Sequence, residues 1–220
     1  MTESIIVLAS GSKTGGGSGF ENLVSYFRTR SSARVVGVVT NVRFGGVEQR
    51  ATKLGIPMMY LSNADCTAEG FARIAPHFGV RAPWYAGSGF LRKVIGLPTE
   101  RAFNIHPALL SQLKGRFGGP GKYGHFVHED VKDAFDAGLI DCSGFSMHFM
   151  DEEYDRGRVF AEVRVKLHHG MSADDIGSTV NAAEHRLQPW LTELVVTGKI
   201  RLEGDRLITP AGYEYLQIAA

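Results

Sequence analysis

The feature that most restricts the fold is a change of texture across the first thirty residues. Ile5-Ile6-Val7-Leu8-Ala9 is a continuous apolar run, suited to a strand buried on both faces of a parallel sheet. It passes directly into Ser10-Gly11-Ser12-Lys13-Thr14-Gly15-Gly16-Gly17-Ser18-Gly19. Behind that loop Phe20, Leu23, Val24 and Phe27 recur at helical spacing, with Arg28 and Arg30 near the helix end, where cations are favoured. Strand, glycine-rich loop and helix in that order make an anion site. Glycine lets the backbone approach closely, and the first N–H groups of a helix have no internal partner. The loop is not a Walker motif, because no Gly-Lys-Ser/Thr stands at the required spacing, and Phe20 breaks the dinucleotide G-x-G-x-x-G register. Phosphate is favoured over nicotinamide or ATP, with Lys13 adding a point charge. A flexible glycine loop with no ligand is the alternative.

The next segments repeat the alternation. Residues 34–40 are a β-branched strand. Residues 47–54 read as a helix closed by Gly55, and residues 58–61 as a strand. Residues 68–78 carry apolar side chains at helical spacing up to Gly79, and residues 81–92 lead from a strand into a second glycine turn. This order predicts an α/β fold: a Rossmann-like, mostly parallel sheet with helices on both faces. Ligands bind such sheets beyond the carboxyl ends of the strands. The second half differs. Residues 108–113 suggest a short helical turn, and residues 114–124, basic and glycine-rich, a mobile loop over the pocket. A helix follows with Val127, Val131, Ala134 and Phe135 on one face. The strand over residues 142–150, an acidic turn and the strand over 159–165 form an antiparallel extension. A helix from Asp174 is interrupted by Pro189, and a hairpin closes around Gly204-Asp205. With no repeats or linker, one domain over residues 1–220 is the simplest division.

Chemistry concentrates at Phe103-Asn104-Ile105-His106-Pro107. Pro107 disfavours the α conformation at His106, and a period of two puts Asn104 and His106 on one face with Ile105 on the other. An amide and an imidazole then point together off a strand end. A core histidine satisfied by a neighbour is the blander alternative, as is a solvated turn residue for Asp155. His125 and His128, three apart, lack Cys or carboxylate ligands in register, so capping or substrate contact is preferred to metal. The formal charge of +1 offers no field for nucleic acid or anionic lipid. The two cysteines, Cys66 and Cys142, form no framework. No basic leader is visible and no apolar run approaches the ~20 residues that span a bilayer. A soluble cytoplasmic protein without nucleic-acid or membrane partners, monomeric or homodimeric, is expected.

Several separated segments agree with one family. Val7-Leu8-Ala9-Ser10-Gly11, Thr40-Asn41, Ala86-Gly87-Ser88-Gly89-Phe90-Leu91-Arg92, Asn104-Ile105-His106-Pro107-Ala108-Leu109-Leu110, Ser146-Met147-His148-Phe149 with Asp155, and Ala183-Glu184-His185 fall in its order. Together they resemble the phosphoribosylglycinamide formyltransferases, or glycinamide ribonucleotide transformylases, of purine biosynthesis. The resemblance implies a Rossmann-like domain that moves a formyl group, through a tetrahedral intermediate, from 10-formyltetrahydrofolate to the amine of glycinamide ribonucleotide, without a metal. By position Asn104, His106 and Asp155 match the catalytic trio. Gly11, Ser12 and Lys13, with Glu184, match the region holding the ribonucleotide. Leu91, Arg92, Val94, Met150 and Asp151 match the folate pocket. The first loop is longer than the family's usual turn, residues 111–124 replace its Pro-Lys/Arg-Tyr/Phe-Pro-Gly run, and the stretch between Arg92 and Asn104 is shortened. These departures leave open an N-formyltransferase acting on another amine, such as an amino sugar. A methionyl-tRNA formyltransferase is expected to carry a further C-terminal domain, and a formyltetrahydrofolate deformylase a further N-terminal one. A non-catalytic phosphate- or nucleotide-binding module needs only the glycine loop.

Overall fold

Strand β1 (Glu3–Leu8) runs inside the sheet between two parallel neighbours, and its Ile5, Ile6, Val7 and Leu8 side chains are all buried. In the computed structural model, which describes residues 2–213, the period of two sorts them by face. Ile5, Val7 and Ala9 enter one hydrophobic cluster, and Ile6 and Leu8 enter another on the opposite side. The chain continues through α1 (Ser18–Phe27), β2 (Ala33–Thr40), α2 (Gly46–Leu54) and β3 (Met58–Tyr60). Two short helices, α3 (Ala68–Ala72) and α4 (Ile74–His77), lead to β4 (Trp84–Ser88) and β5 (Ala102–His106). Then come α5 (His125–Asp136), β6 (Cys142–Phe149), β7 (Val159–Lys166), the long α6 (Ala173–Val196), and the hairpin β8 (Arg201–Glu203) and β9 (Arg206–Ile208). The seven-stranded sheet has the order β3-β2-β1-β4-β5-β6-β7. It is parallel as far as β5 and antiparallel beyond it. Residues of α1, α2, α5 and α6 share the first cluster, while Phe71 and Ile74 of α3 and α4 cover the other face. The expected α/β architecture with an antiparallel C-terminal extension is the one observed.

Three local expectations are corrected. The helix over 68–78 is split in two. Pro76 has no N–H to give the Ala72 carbonyl, and the chain tightens at Arg73, whose N–H bonds to Gly70 O at 3.3 Å. The turn over 108–113 does not form as drawn. The Leu110 N–H goes to Ser146 Oγ (2.9 Å) and the Ser111 N–H to Glu162 Oε1 (2.9 Å), so the sheet's side chains take the amides a helix needs. A 3-10 turn follows at Gln112–Gly115, with Leu113 and Lys114 at φ 44° and 58°. Finally, Pro189 does not interrupt α6, which starts at a Ser172–Asp175 capping box and runs unbroken through the proline. The carbonyl that Pro189 leaves without a helical donor is that of His185, and Asn22 Nδ2 of α1 donates to it at 2.6 Å. A helix-to-helix bond thus fills the gap left by the proline.

Asn22→Ala should cost about 1–2 kcal/mol in urea unfolding, because it strands a part-buried carbonyl. In an Asn22→Ala/Pro189→Ala protein the restored N–H answers that carbonyl, so the loss should be smaller than the single changes sum to; strict additivity would refute the compensation. A second expectation concerns His128, buried where α5 meets α6, with its Nδ1 unpartnered. Its Cδ2 lies 2.8 Å from where a Cβ on Gly177 would stand. Burial, reinforced by His106 and His125 and opposed by Asp174, pushes the imidazole down to about 4. The unfolded chain titrates near the ordinary ~6.5 and so binds the extra proton first. His128 therefore contributes stability above ~6.5 that is lost as pH falls toward 4. Between pH 7.5 and 4.5 the protein should lose about 2–3 kcal/mol more than His128→Leu does. Equal losses would refute this.

Candidate active site

The carboxyl ends of β1, β4 and β5 open into a cavity of about 560 Å³. Ser10 ties two of its margins together. Buried at the end of β1, it donates its N–H to Gly89 O (3.1 Å), and its Oγ accepts from the Leu91 N–H (2.8 Å). The glycine loop and the turn after β4 are thereby fixed to each other. A Cβ on Gly87 would stand 2.3 Å from Asn104 Oδ1 and 2.7 Å from Met150 Cε, so any side chain there would push the Asn104 amide and Met150 out of place. The missing side chain makes the floor on which the Asn104 amide lies.

The glycine loop folds differently from expectation. Gly11 and Gly16 take φ of 66° and 92°, and a Cβ on Gly16 would lie 2.4 Å from Gly11 Cα. The loop doubles back on itself: Ser12 donates its N–H to Gly15 O (2.8 Å), and its own carbonyl accepts from Gly46 N (3.0 Å). Ser12 and Lys13 are exposed and do not line the cavity. Gly11 does, together with Gly16, Gly17, Ser18 and Gly19 at the amino end of α1. The main-chain donors facing the cavity are thus those of the helix start, several residues beyond the positions picked from the sequence. Glu184 of α6 lines the same region. Burial pushes its carboxyl up to about 7, against the opposing hydrogen bond from the Asn181 amide (3.2 Å). His185 stands beside it, with Nε2 3.1 Å from Ser18 Oγ.

The antiparallel pairing of β5 with β6 sets Asn104 opposite His148 and His106 opposite Ser146. Beyond β6 the chain turns through Asp155, which adopts φ 54°, a left-handed conformation that Asp tolerates. Its side chain is only 10% exposed, which excludes a solvated turn residue. Asp155 Oδ2 lies 3.4 Å from His106 Nδ1 and accepts the Gly119 N–H at 3.0 Å, while Oδ1 lies 3.5 Å from His148 Nε2. Asn104 Nδ2 approaches the same His148 nitrogen at 3.5 Å. Asn104, His106 and Asp155, far apart in the chain, therefore meet on one wall. Burial alone would raise the Asp155 carboxyl, but the His148 ring, His106 and the Gly119 amide together hold it below the usual carboxylate range. His106, also buried, is pushed down. Desolvation is the largest cause and outweighs the upward pull of Asp155 and of the Phe117 carbonyl. Asp155 thus favours the imidazolium, but by less than burial disfavours it.

His106 Nε2 lies 2.7 Å from the Phe117 carbonyl, which only accepts, so Nε2 carries the hydrogen. In the neutral ring Nδ1 is then a free acceptor beside an ionised carboxylate. Leu91, Arg92, Val94, Met150 and Asp151 line the rest of the cavity. Arg92 Nε donates to Asn63 Oδ1 (2.7 Å), and Asp151 Oδ1 accepts from the Glu153 N–H (2.9 Å). Sequence reasoning gave no role to Ser10, His148, Phe117 or Gly119. The alternation of β6 offered a signal for His148, which shares a face with Ser146 and Met150. A main-chain carbonyl or amide such as those of Phe117 and Gly119 leaves no mark in a residue pattern.

Residues 89–192 match the Formyl transferase family. The chloroplastic phosphoribosylglycinamide formyltransferase of Vigna unguiculata is 32% identical over 89% of this chain and 63% of its own length. The Escherichia coli (strain K12) phosphoribosylglycinamide formyltransferase is 28% identical over 96% of this chain and 98% of its own. The chain spans 19% of the Bos taurus trifunctional purine biosynthetic protein adenosine-3, at 29% identity, so it covers under two thirds of some relatives' length. In fold it is similar to the crystal structure of phosphoribosylglycinamide formyltransferase from Anaplasma phagocytophilum. The TM-score is 0.78 at 24% identity, over 100% of this chain and 99% of that one. The chain is thus similar in sequence to phosphoribosylglycinamide formyltransferases along most of its length and shares their fold, and its residues 89–192 match the formyl transferase model.

Proposed function

We propose that this protein transfers the formyl group of 10-formyltetrahydrofolate to the amine of glycinamide ribonucleotide. The observation that carries this reading is the meeting of Asn104, His106 and Asp155 in a cavity that also takes in the amino end of α1. The free N–H groups of the first turn of α1, begun by Gly17 at φ 82°, suit the phosphate, and Glu184 suits the ribose hydroxyls. Leu91, Val94 and Met150 give the folate an apolar wall, with Arg92 and Asp151 as polar readers.

The donor, when bound, supplies an electrophilic formyl carbon. As the amine attacks, negative charge grows on the formyl oxygen. The Asn104 amide, held by no partner closer than 3.5 Å, is free to donate to it. Such a donor is typically worth ~100- to 1000-fold in rate. His106 Nδ1, unprotonated at rest, takes the proton that leaves the amine, then returns it to the departing folate nitrogen. Asp155, ionised and 3.4 Å away, stabilises the imidazolium while it exists. His106 is neutral at physiological pH because it is buried, and can become charged because Asp155 waits beside it.

Absorbance at fixed 10-formyltetrahydrofolate should show consumption that depends on glycinamide ribonucleotide. Consumption with an amino sugar alone, or with water alone, would overturn the assignment of acceptor. The acidic limb of kcat/KM against pH should lie below the ordinary imidazole value of ~6.5. Asp155→Asn removes an upward influence on His106, so that limb should move to lower pH. The plateau should fall by roughly 100-fold or more as the imidazolium loses its counter-charge. A plateau at the wild-type level with an unmoved limb would remove Asp155 from the chemistry.

A further inference from the structure

The segment that supplies the Phe117 carbonyl and the Gly119 amide is not regular structure. Gly115, Gly119 and Gly121 take φ of 83°, 98° and 83°, and Gly118 lets the chain pass against Asp155, whose Cβ would stand 3.2 Å from a Cβ placed there. So glycine-rich a strap has many unfolded conformations to give up, and its order depends on what fastens it. One fastening is Phe117, fully buried in the core. The other is a single carboxylate. Asp130, on the second turn of α5, accepts from Arg116 Nε (3.0 Å) and one Arg116 terminal nitrogen (2.6 Å) at Oδ1, and from Lys122 Nζ (2.5 Å) at Oδ2. Its side chain is 15% exposed, and α5 is itself anchored by buried Val127, Val131 and Ala134. Arg116 and Lys122 bracket the two main-chain groups that touch His106 and Asp155. Burial alone would raise the Asp130 carboxyl, and the hydrogen bonds and charges of Arg116 and Lys122 outweigh it and hold it low.

We infer that Asp130 is a positioning residue: by gripping Arg116 and Lys122 it fixes the strap, and the strap fixes the tautomer of His106 and the place of Asp155. A merely structural pair on the helix surface would add little to stability and leave the imidazole alone. A positioning pair acts on His106, 2.7 Å from the strap carbonyl. The kinetic consequence rests on the function proposed above; the effect on the imidazole does not.

The experiment is Asp130→Asn, read two ways. With ¹⁵N-labelled histidine and no substrate, the His106 ring should change from one Nε2–H tautomer to a mixture. In formyl transfer, kcat should fall roughly ten- to hundredfold, as expected when a reacting group is misplaced by about an ångström. KM for the phosphate-bearing substrate should change little, since the amino end of α1 is untouched. Arg116→Lys, which keeps the charge, should stay near wild type where Arg116→Gln does not. The two Arg116 variants also give the answer should Asp130→Asn fail to fold. An unaltered His106 spectrum and unaltered kcat in Asp130→Asn or Arg116→Gln would overturn the inference and leave Phe117 as sufficient anchor. A shifted spectrum in a chain whose wild type transfers no formyl group would instead sink the proposed function and spare the positioning role.

Discussion

A carboxylate removed from water must be surrounded by donors or positive charge, or it takes up a proton. Asp155 meets that requirement by drawing three otherwise independent segments together: β5 through His106, β6 through His148, and the strap through the Gly119 amide. Among the described residues no Lys or Arg side chain pairs with it; the partners are two imidazoles and an amide. A fixed guanidinium would neutralise the carboxylate permanently. Imidazoles leave it ionised and short of charge, so that a proton arriving at His106 Nδ1 is welcomed where a resting one is not. The left-handed backbone at Asp155 is a local cost accepted for this placement.

The two shifts on the pair have the same direction and different causes. Burial disfavours charge on both groups. On Asp155 it is overcome by hydrogen bonds and neighbours, and on His106 it is not. The resting pair is therefore anion and neutral ring, the distribution that general base catalysis needs. In the proposed mechanism a proton from the amine would turn the pair, 3.4 Å apart, into an ion pair in a poorly solvated wall, where the attraction is stronger than at a surface. Strap and sheet serve the same end, since together they bury His106 while its Nδ1 stands beside Asp155.

Much of this was legible in the residue order, where a side chain's role follows from periodicity or from a fixed backbone preference. The run Ile5 to Ala9, the alternation of elements and Pro107 placed β1, β5 and the Asn104–His106 pair correctly. What was not legible depends on competition between partners. Residues 108–113 look helical until Ser146 and Glu162 claim the amides of Leu110 and Ser111. Pro189 looks like a helix break until Asn22 answers the His185 carbonyl. Ser12 and Lys13 look like phosphate ligands until Ser12 spends its N–H on Gly15. In each case a hydrogen bond across a long sequence separation, or within a loop too glycine-rich to read, overrides the local signal.

The same bookkeeping of main-chain groups distinguishes the two ends of the cavity. At the amino end of α1 helix geometry leaves the first N–H groups without helical partners, and in the proposed reading these meet the ligand's phosphate. At the acid–base end the main-chain groups are already committed, the Phe117 carbonyl to His106 and the Gly119 amide to Asp155. On the proposed reading one end offers unpaired donors to an anion, while the other has committed the Phe117 carbonyl and Gly119 amide to the side chains of His106 and Asp155. Ser10 joins them, because it fixes the glycine loop to the turn after β4, beside the strand on which Asn104 and His106 sit. In the proposed reading the distance between the phosphate site and His106 is set by three adjacent parallel strands, β1, β4 and β5, and a substrate must match that span before the chemistry can begin.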